Sequence, residues 1–248
     1  FDQKLLCDEV GRLGVRAARV AINDLLQAEF VDNERLHWQA KPVDLIYWRT
    51  GYNPSVDLTA RFWQFRARLE QAAVIQCPNL AGQLTGSKWF QHQLTALLLT
   101  HPEEITAQFA IRSAEVAMLR QAVVPSYGVS ELATEKAEAL IAQGYWYKTQ
   151  QEGGGNVARG QDALNKLAST DSADLLMAPI NVQIRREALT TLRHGKATVA
   201  TEHISELGIF SLGEKACYGG YLCRTKPAQN NEGGVHRGGA VLDVIQLV

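Results

Sequence analysis

The chain has 248 residues, of which 46% are hydrophobic and 21% charged, with a formal net charge of −1. That is ordinary globular composition, enough for a sizeable core in one large domain or two modest ones. It gives no electrostatic reason to expect nucleic acid or an anionic membrane surface as partner, and the longest apolar runs are far too short to span a bilayer.

In chain order, the spacing of Leu5, Leu6, Val10 and Leu13 predicts a helix over 2–13 that ends near Gly14, followed by a strand over 15–22. The chain starts at Phe1 and runs straight into that helix. This suggests part of something longer; trimming of a start methionine is the alternative. Residues 43–48 read as a short buried strand that ends in the turn Arg49-Thr50-Gly51-Tyr52-Asn53-Pro54. A long amphipathic helix is expected over 58–75, with Phe62, Phe65, Leu69 and Ala72-Ala73 on one side. Helix, strand, turn and helix imply a parallel α/β unit over 1–82. Ligands of such sheets sit beyond the carboxyl ends of the strands, which puts Arg49 and Tyr52 at a binding mouth.

Helices are expected next at 88–99, 102–121 and 131–143, then a strand at Tyr145-Trp146-Tyr147. A helix near 160–168 and a strand at 174–177 follow. The turn Arg193-His194-Gly195-Lys196 should join two antiparallel strands, the second over 197–211. Residues 218–226 read as a further strand, 227–239 as an irregular loop, and 241–248 as the closing segment. The fold class is therefore α/β plus α+β, with antiparallel sheet and helices in the second part, 83–248. The four cysteines, Cys7, Cys77, Cys217 and Cys223, form no CxxC pair, and the six histidines offer no zinc spacing. Free thiols in a reducing compartment favour the cytoplasm.

The run from Lys148 to Asn156, Lys-Thr-Gln-Gln-Glu-Gly-Gly-Gly-Asn, is the most informative stretch. Three consecutive glycines have no side chains to pack and a high ordering entropy, so such a loop suits a backbone that approaches a ligand or swings over one. Lys148 offers a point charge for phosphate oxygens, and Glu152 a hard oxygen ligand for Mg²⁺. A surface loop that is merely Gly-rich is the alternative. Lys88, at a helix start after Leu84-Thr85-Gly86-Ser87, fits the same phosphate site. Glu206 lies in the apolar run Ile204-Ser205-Glu206-Leu207-Gly208-Ile209-Phe210. A carboxylate there is costly to bury alone, so it should bind a metal, a sugar hydroxyl or a lysine. Arg224-Thr225-Lys226 ends a strand and adds two cations.

Taken together these blocks resemble the eukaryotic type of glutathione synthetase, an ATP-grasp ligase. The resemblance also rests on Ile46-Tyr47-Trp48-Arg49-Thr50-Gly51-Tyr52, on the run from Cys77-Pro78 to Ser87-Lys88, and on Phe1-Asp2-Gln3. It continues through Leu222-Cys223-Arg224-Thr225-Lys226, Gly233-Gly234-Val235 and Ala240-Val241-Leu242-Asp243. It spans this whole chain but only the C-terminal half of a family member. The resemblance implies a substrate-binding unit at 1–82 and an ATP-grasp region at 83–248 with a lid at about 131–200. Lys88 and Lys148 would grip the ATP phosphates, Glu152 would bind Mg²⁺, and Gly153, Gly154 and Gly155 would form the lid loop. Thr149, Gln150, Gln151, Asn156, Val157 and Arg159 would complete that side. Met177, Ala178, Pro179 and Ile180 match the segment whose backbone meets adenine. Glu206 would hold the nucleoside, with Lys226 and Glu232 nearby. Gln3, Arg49, Thr50, Gly51 and Tyr52 match contacts to γ-glutamylcysteine, and Arg224, Val235 and His236 the reacting end.

The implied reaction is ATP-dependent ligation of γ-glutamylcysteine to glycine through an acyl phosphate, where positioning and cationic stabilisation carry the chemistry. Lys88, Lys148 and Arg224 would be the catalytic residues. Where the family has proline, arginine, asparagine and tyrosine, this chain has Thr149, Gln151, Val157 and Arg159, and His236-Arg237 replaces a pair of small alanines. The family's other Mg²⁺ ligands and its dimer surface lie upstream of Phe1. The expected partners are thus ATP, γ-glutamylcysteine, glycine, a missing N-terminal half or companion chain, and a second copy of the complete enzyme. A noncatalytic binding module with the same fold, or a ligase for another acceptor amine, are the alternatives.

Overall fold

The structure, a computed structural model, describes residues 2–51, 59–151, 156–168, 173–182, 184–186, 188–193, 195–213, 217–231, 233–235 and 239–244. Two compact units, 1–87 and 88–248, make up the chain.

The first unit opens with helix α1 (Asp2–Arg12). Residues 15–21 form no regular element and lead into the short helix α2 (Ile22–Leu25). The strand expected at 15–22 is therefore absent: residues 15–19 are all exposed, so their pattern has no buried face to answer. Strands β1 (Glu29–Val31), β2 (Arg35–Trp38) and β3 (Lys41–Pro42) form an antiparallel sheet that the sequence did not suggest. β4 (Leu45–Tyr47) pairs in parallel with β5 (Ile75–Cys77), and α3 (Ala60–Leu69) lies between them in the chain. The parallel α/β expectation thus holds for this pair but not for the whole unit. α3 stops at Leu69 rather than near 75, because the chain turns back to enter β5; Ala73 N–H donates to Glu34 O on the way. Helix α4 (Leu80–Thr85) is capped by Asn79, whose Oδ1 accepts from Gly82 N–H at 2.7 Å. Leu26, Leu36, Ile46, Trp48, Phe62 and Leu69 form the core.

Arg66 of α3 is buried in this unit. Its guanidinium lies 4.2 Å from the Trp48 ring centre and donates to Oε1 of Gln76 and of Gln83. It therefore ties the crossover helix to β5, to α4 and to the residue before Arg49. Burial pulls its pKa down, and Glu70 opposes that pull.

The second unit begins with α5 (Lys88–Thr100), α6 (Pro102–Phe109) and α7 (Ser113–Ala122), packed around Leu98, Ile105 and Val116. The single helix expected over 102–121 is two helices, because Ala110 adopts a left-handed φ of 52°. Strand β6 (Ser126–Gly128), helix α8 (Thr134–Ala142), strands β7 (Trp146–Lys148) and β8 (Val157–Ala158), helix α9 (Gly160–Leu167) and strand β9 (Leu175–Met177) follow. The strands form an antiparallel sheet in the order β6-β9-β7-β8. Tyr147 and Leu176 of that sheet share a core with Ala137, Leu140 and Ile141 of α8 and Ala163 of α9.

β10 (Leu189–Arg193) and β11 (Lys196–Ala200) make the expected hairpin, with Gly195 at φ 76° in its turn. The strand expected over 197–211 is two strands in different sheets, since the chain leaves β11 at Ala200 and enters β12 (His203–Leu212). β12, β13 (Cys217–Pro227) and β14 (Val241–Asp243) form a third antiparallel sheet in that order. Among the described residues the antiparallel sheet expected for the second unit is divided into three sheets. Among the described residues, no helix is long and apolar enough to cross a membrane.

Candidate functional site

β7 and β8 pair antiparallel, and the glycine-rich run lies between them in the chain. Lys148 pairs with Val157 at the ends of the two strands, and Thr149 N–H donates to Asn156 O at 3.1 Å. Glu152, Gly153, Gly154 and Gly155 lie outside the described residues. Just before them the loop is tied to the start of α5. Lys88 Nζ donates to Gln151 O at 2.9 Å, and Trp89 N–H donates to Gln150 Oε1 at 3.0 Å. Gln150 Nε2 in turn donates to Ala173 O at 2.6 Å. Beneath, the buried Tyr147 hydroxyl donates to Asp174 Oδ2 at 2.6 Å.

The β12–β13 register sets Glu206 opposite Arg224. Arg224 Nε lies 2.6 Å from Glu206 Oε2, and Lys226 Nζ 3.0 Å from Glu206 Oε1. Of the partners foreseen for Glu206, a lysine is present, and an arginine joins it. Gly233 is buried against this pair: a Cβ there would stand 3.2 Å from both Arg224 Nε and Glu206 Oε2. Burial pushes the Glu206 carboxyl up, but the hydrogen bonds and charges of Lys226 and Arg224 outweigh it and hold the group below its usual range.

Lys148 joins the two halves of the site electrostatically. Burial, then Lys88 and Lys226, push its pKa down against the pull of Glu206. Arg224 and Lys226 thus contact Glu206 directly, and Lys148 lies within electrostatic reach of Glu206, Lys226 and Lys88. Such an excess of fixed positive charge, partly desolvated, suits a polyanion such as a phosphate chain.

The remaining expected residues fall as follows. Met177 ends β9 and is paired with Ser126 and Trp146; Ala178 N–H donates to Pro125 O at 2.8 Å, Pro179 follows it, and Ile180 is exposed. The Arg159 guanidinium lies 5.1 Å from the Trp146 ring centre. Val235 is exposed, while Glu232 and His236 lie outside the described residues. Gln3, Arg49, Thr50 and Gly51 belong to the first unit, with Arg49 5.9 Å from the Tyr47 ring centre. Gly51 has φ 78° and packs so closely on Phe62 that a Cβ would approach it to 2.8 Å. Tyr52 is outside the described residues. The sequence did not single out Trp89, His92, Ser126, Glu131 or Asp174, which hold the site's walls; no local pattern marks them.

Among the described residues no group of three or more His, Cys, Asp or Glu could hold a metal ion, and the site's carboxylate, Glu206, is engaged by Arg224 and Lys226. The described donor set does not fit Mg²⁺, and Glu152, its expected ligand, lies outside it.

The family model described as eukaryotic glutathione synthase, ATP binding domain, matches residues 19–247. The glutathione synthetase of Xenopus laevis is 31% identical over 265 residues, covering 100% of this chain and 54% of that protein. That of Rattus norvegicus is 32% identical over 266 residues, covering 98% and 53%. A chloroplastic glutathione synthetase of Solanum lycopersicum is 34% identical over 223 residues, covering 83% and 39%. The chain thus spans about half the length of the curated relatives it matches, or less. A solved structure of a glutathione synthetase like-effector from Globodera pallida, in apo form, is similar in fold, with a TM-score of 0.52 at 15% identity over 92% of this chain and 48% of that one.

Proposed function

The chain belongs to the eukaryotic glutathione synthase family, and from that premise we propose that it binds ATP and takes part in joining γ-glutamylcysteine to glycine. One observation carries the reading: Arg224 and Lys226 hold Glu206, and Lys148, its pKa pushed down by burial and by Lys88 and Lys226, links that group to Lys88 at the start of α5. A phosphate chain beside Lys148 would offset the burial and the neighbouring cations that disfavour its ammonium. The Thr149 hydroxyl at the foot of the loop is buried without a hydrogen-bond partner among the described residues, and a phosphate oxygen would satisfy it.

In the proposed reaction the cysteinyl carboxylate oxygen forms a bond to the γ-phosphorus as the bond to the leaving ADP oxygen breaks. The glycine amine then attacks the acyl carbon, phosphate leaves, and the amine loses its proton. Lys88 and Lys148 hold the phosphates and Arg224 faces the transferring phosphoryl group, so positioning and charge do the catalysis. Mg²⁺ would accompany the nucleotide, with Glu152 as its ligand. Gln3, Arg49, Thr50, Gly51 and Tyr52 are the proposed peptide contacts, and Val235 and His236 the proposed contacts to the acceptor.

The reading includes the part of the relatives that this chain does not match, as a further segment of the same polypeptide or as a companion chain. The far end of the β12–β13 hairpin supports this: Leu207, Ile209, Phe210, Leu212, Tyr218 and Tyr221 are all exposed there. Exposed apolar side chains concentrated on one hairpin suit a protein interface. A dimer of the complete enzyme and a cytoplasmic location, in keeping with the free thiols of Cys7, Cys77, Cys217 and Cys223, belong to the same proposal.

A second reading is a nucleotide-binding module without turnover. It is favoured by Gln151, Val157 and Arg159, which replace nucleotide-side residues of the family pattern. Calorimetric titration with ATP and an assay of ADP release, run on native material with any chain that co-purifies, separate the two. ADP release that requires both γ-glutamylcysteine and glycine supports ligation. ATP binding without release supports the module, and absence of ATP binding refutes both.

A further inference from the structure

We propose that His92 is a positioning residue that locks Lys88, on the phosphate side, to the strand pair that presents the adenine segment; this rests on the nucleotide reading above.

His92 lies four residues after Lys88 on α5, one helical turn along the same face. Its ring is 4% exposed and makes two hydrogen bonds. Nδ1 is 3.0 Å from Ser126 Oγ, and Nε2 is 3.3 Å from Glu131 Oε2. A carboxylate only accepts, so Nε2 carries the proton; in the neutral ring Nδ1 then accepts from the Ser126 hydroxyl. A buried ring nitrogen left unpaired is costly, so both bonds must form for the helix to seat. Glu131 is itself fixed, its Oε2 accepting from Gly128 N–H at 3.2 Å.

These bonds reach the opposite side of the site through the sheet. Ser126 opens β6 and is the register partner of Met177, where the adenine segment begins. Pro125 O accepts from Ala178 N–H. The α5 start is also seated by packing. The Trp89 ring lies 5.2 Å from the His92 ring, and a Cβ on Gly128 would stand 3.0 Å from Trp89 Cη2 and 2.8 Å from Glu131 Cδ. Only a residue without a side chain lets helix and strand come this close. The span from Lys88 through His92 and Ser126 to Met177 is a strut between the two ends of a bound nucleotide.

The order serine, histidine, carboxylate also occurs in nucleophile relays. Here the ring is buried under Trp89, and Glu131 is shared with the Gly128 N–H, an arrangement suited to holding position rather than to receiving an acyl substrate.

The test compares His92→Phe, which keeps a ring and removes both bonds, with His92→Gln, which retains a donor and an acceptor. Dissociation constants for ATP and for adenosine are measured by titration, and amide hydrogen exchange is followed at the first turn of α5 and at β6. A strut acting through Lys88 predicts that His92→Phe weakens ATP about 5- to 20-fold, as expected for losing one or two hydrogen bonds, and adenosine less than about twofold. His92→Gln should recover ATP affinity to within about threefold, while exchange at the α5 start accelerates only in His92→Phe. Leu98→Ala, in the core of the same helix, is the destabilised control and should leave the ATP-to-adenosine ratio unchanged. Equal losses for ATP and adenosine, an unchanged ATP affinity, or the same ratio shift in Leu98→Ala would overturn the proposal. If the parent protein binds neither ligand, the nucleotide reading fails, and the strut stands or falls on hydrogen exchange: unchanged exchange at both segments in His92→Phe removes it.

Discussion

Replacing Lys148 by Met keeps an unbranched side chain one atom shorter and removes its charge, and the surroundings of Lys148 give this change two effects of opposite sign. In the free protein the ammonium is held against burial and against Lys88 and Lys226, with Glu206 its opposing partner. Its pKa is therefore depressed below 10.5, the ordinary value that the unfolded chain retains. A depressed lysine penalises the fold at pH values below the depressed pKa, and the penalty is relieved as pH rises towards 10.5. Met removes that penalty, so Lys148→Met should melt at the same temperature as the parent or higher. Nucleotide binding should move the other way. A desolvated lysine–phosphate hydrogen bond contributes roughly 1.5–3 kcal/mol, so ATP affinity should fall about 10- to 150-fold. Calorimetric titration with ATP beside a thermal melt gives both quantities on the same material. pH adds an independent check: because phosphate favours the ammonium, parent affinity should fall as pH rises through the depressed pKa. Lys148→Arg, which stays charged, should show no such fall. Unchanged ATP affinity in the folded Met variant, or a loss of affinity accompanied by a drop in melting temperature, would refute the reasoning and make Lys148 a structural residue.

Three further outcomes are expected. Gly233→Ala brings a Cβ within 3.2 Å of Arg224 Nε and Glu206 Oε2, and no positive φ is involved, so space alone decides. The Glu206–Arg224 bond should open at a cost of about 1 kcal/mol, with ATP affinity several-fold weaker; unaltered affinity would detach Gly233 from the site. Tyr147→Phe leaves the buried Asp174 Oδ2 without its hydroxyl donor and should lower stability by about 1–3 kcal/mol in urea denaturation, whereas an unchanged midpoint would mean that water replaces the bond. Ile209→Asp, on the exposed part of the β12–β13 hairpin, should abolish co-purification of a companion chain while leaving the melting temperature of residues 1–248 within about 2 °C, since a surface substitution changes stability little.

Elements whose pattern is local were legible in the sequence. α1, α5, α8 and α9 follow from helical periodicity, and the β10–β11 turn from Gly195, which supplies the left-handed φ the hairpin needs. The strand that feeds the glycine run was legible in Tyr145-Trp146-Tyr147 and is observed as β7. What failed depended on distant partners. Residues 15–22 have the pattern of a strand, yet no neighbour buries a face of 15–19. The break at Ala110 carries neither glycine nor proline; the packing of α6 and α7 with α5 around Leu98, Ile105 and Val116 imposes it. The division between β11 and β12 at Thr201-Glu202 is likewise silent in composition, because sheet membership is a matter of which strand lies alongside. For the proposed site, Lys88, Lys148, Glu206, Arg224 and Lys226 could each be named as candidates, and a lysine was among the partners foreseen for Glu206, but its pairing with Arg224 was not. That Glu206 faces Arg224 follows from the β12–β13 register, in which a slip of one residue would turn every side chain to the other face. That His92 reaches Ser126 and Glu131, 34 and 39 residues away, exists only once α5 lies on β6. Residue type determines which charges and donors a chain can offer, whereas distance, burial and therefore the strength of each interaction are properties of the packed fold.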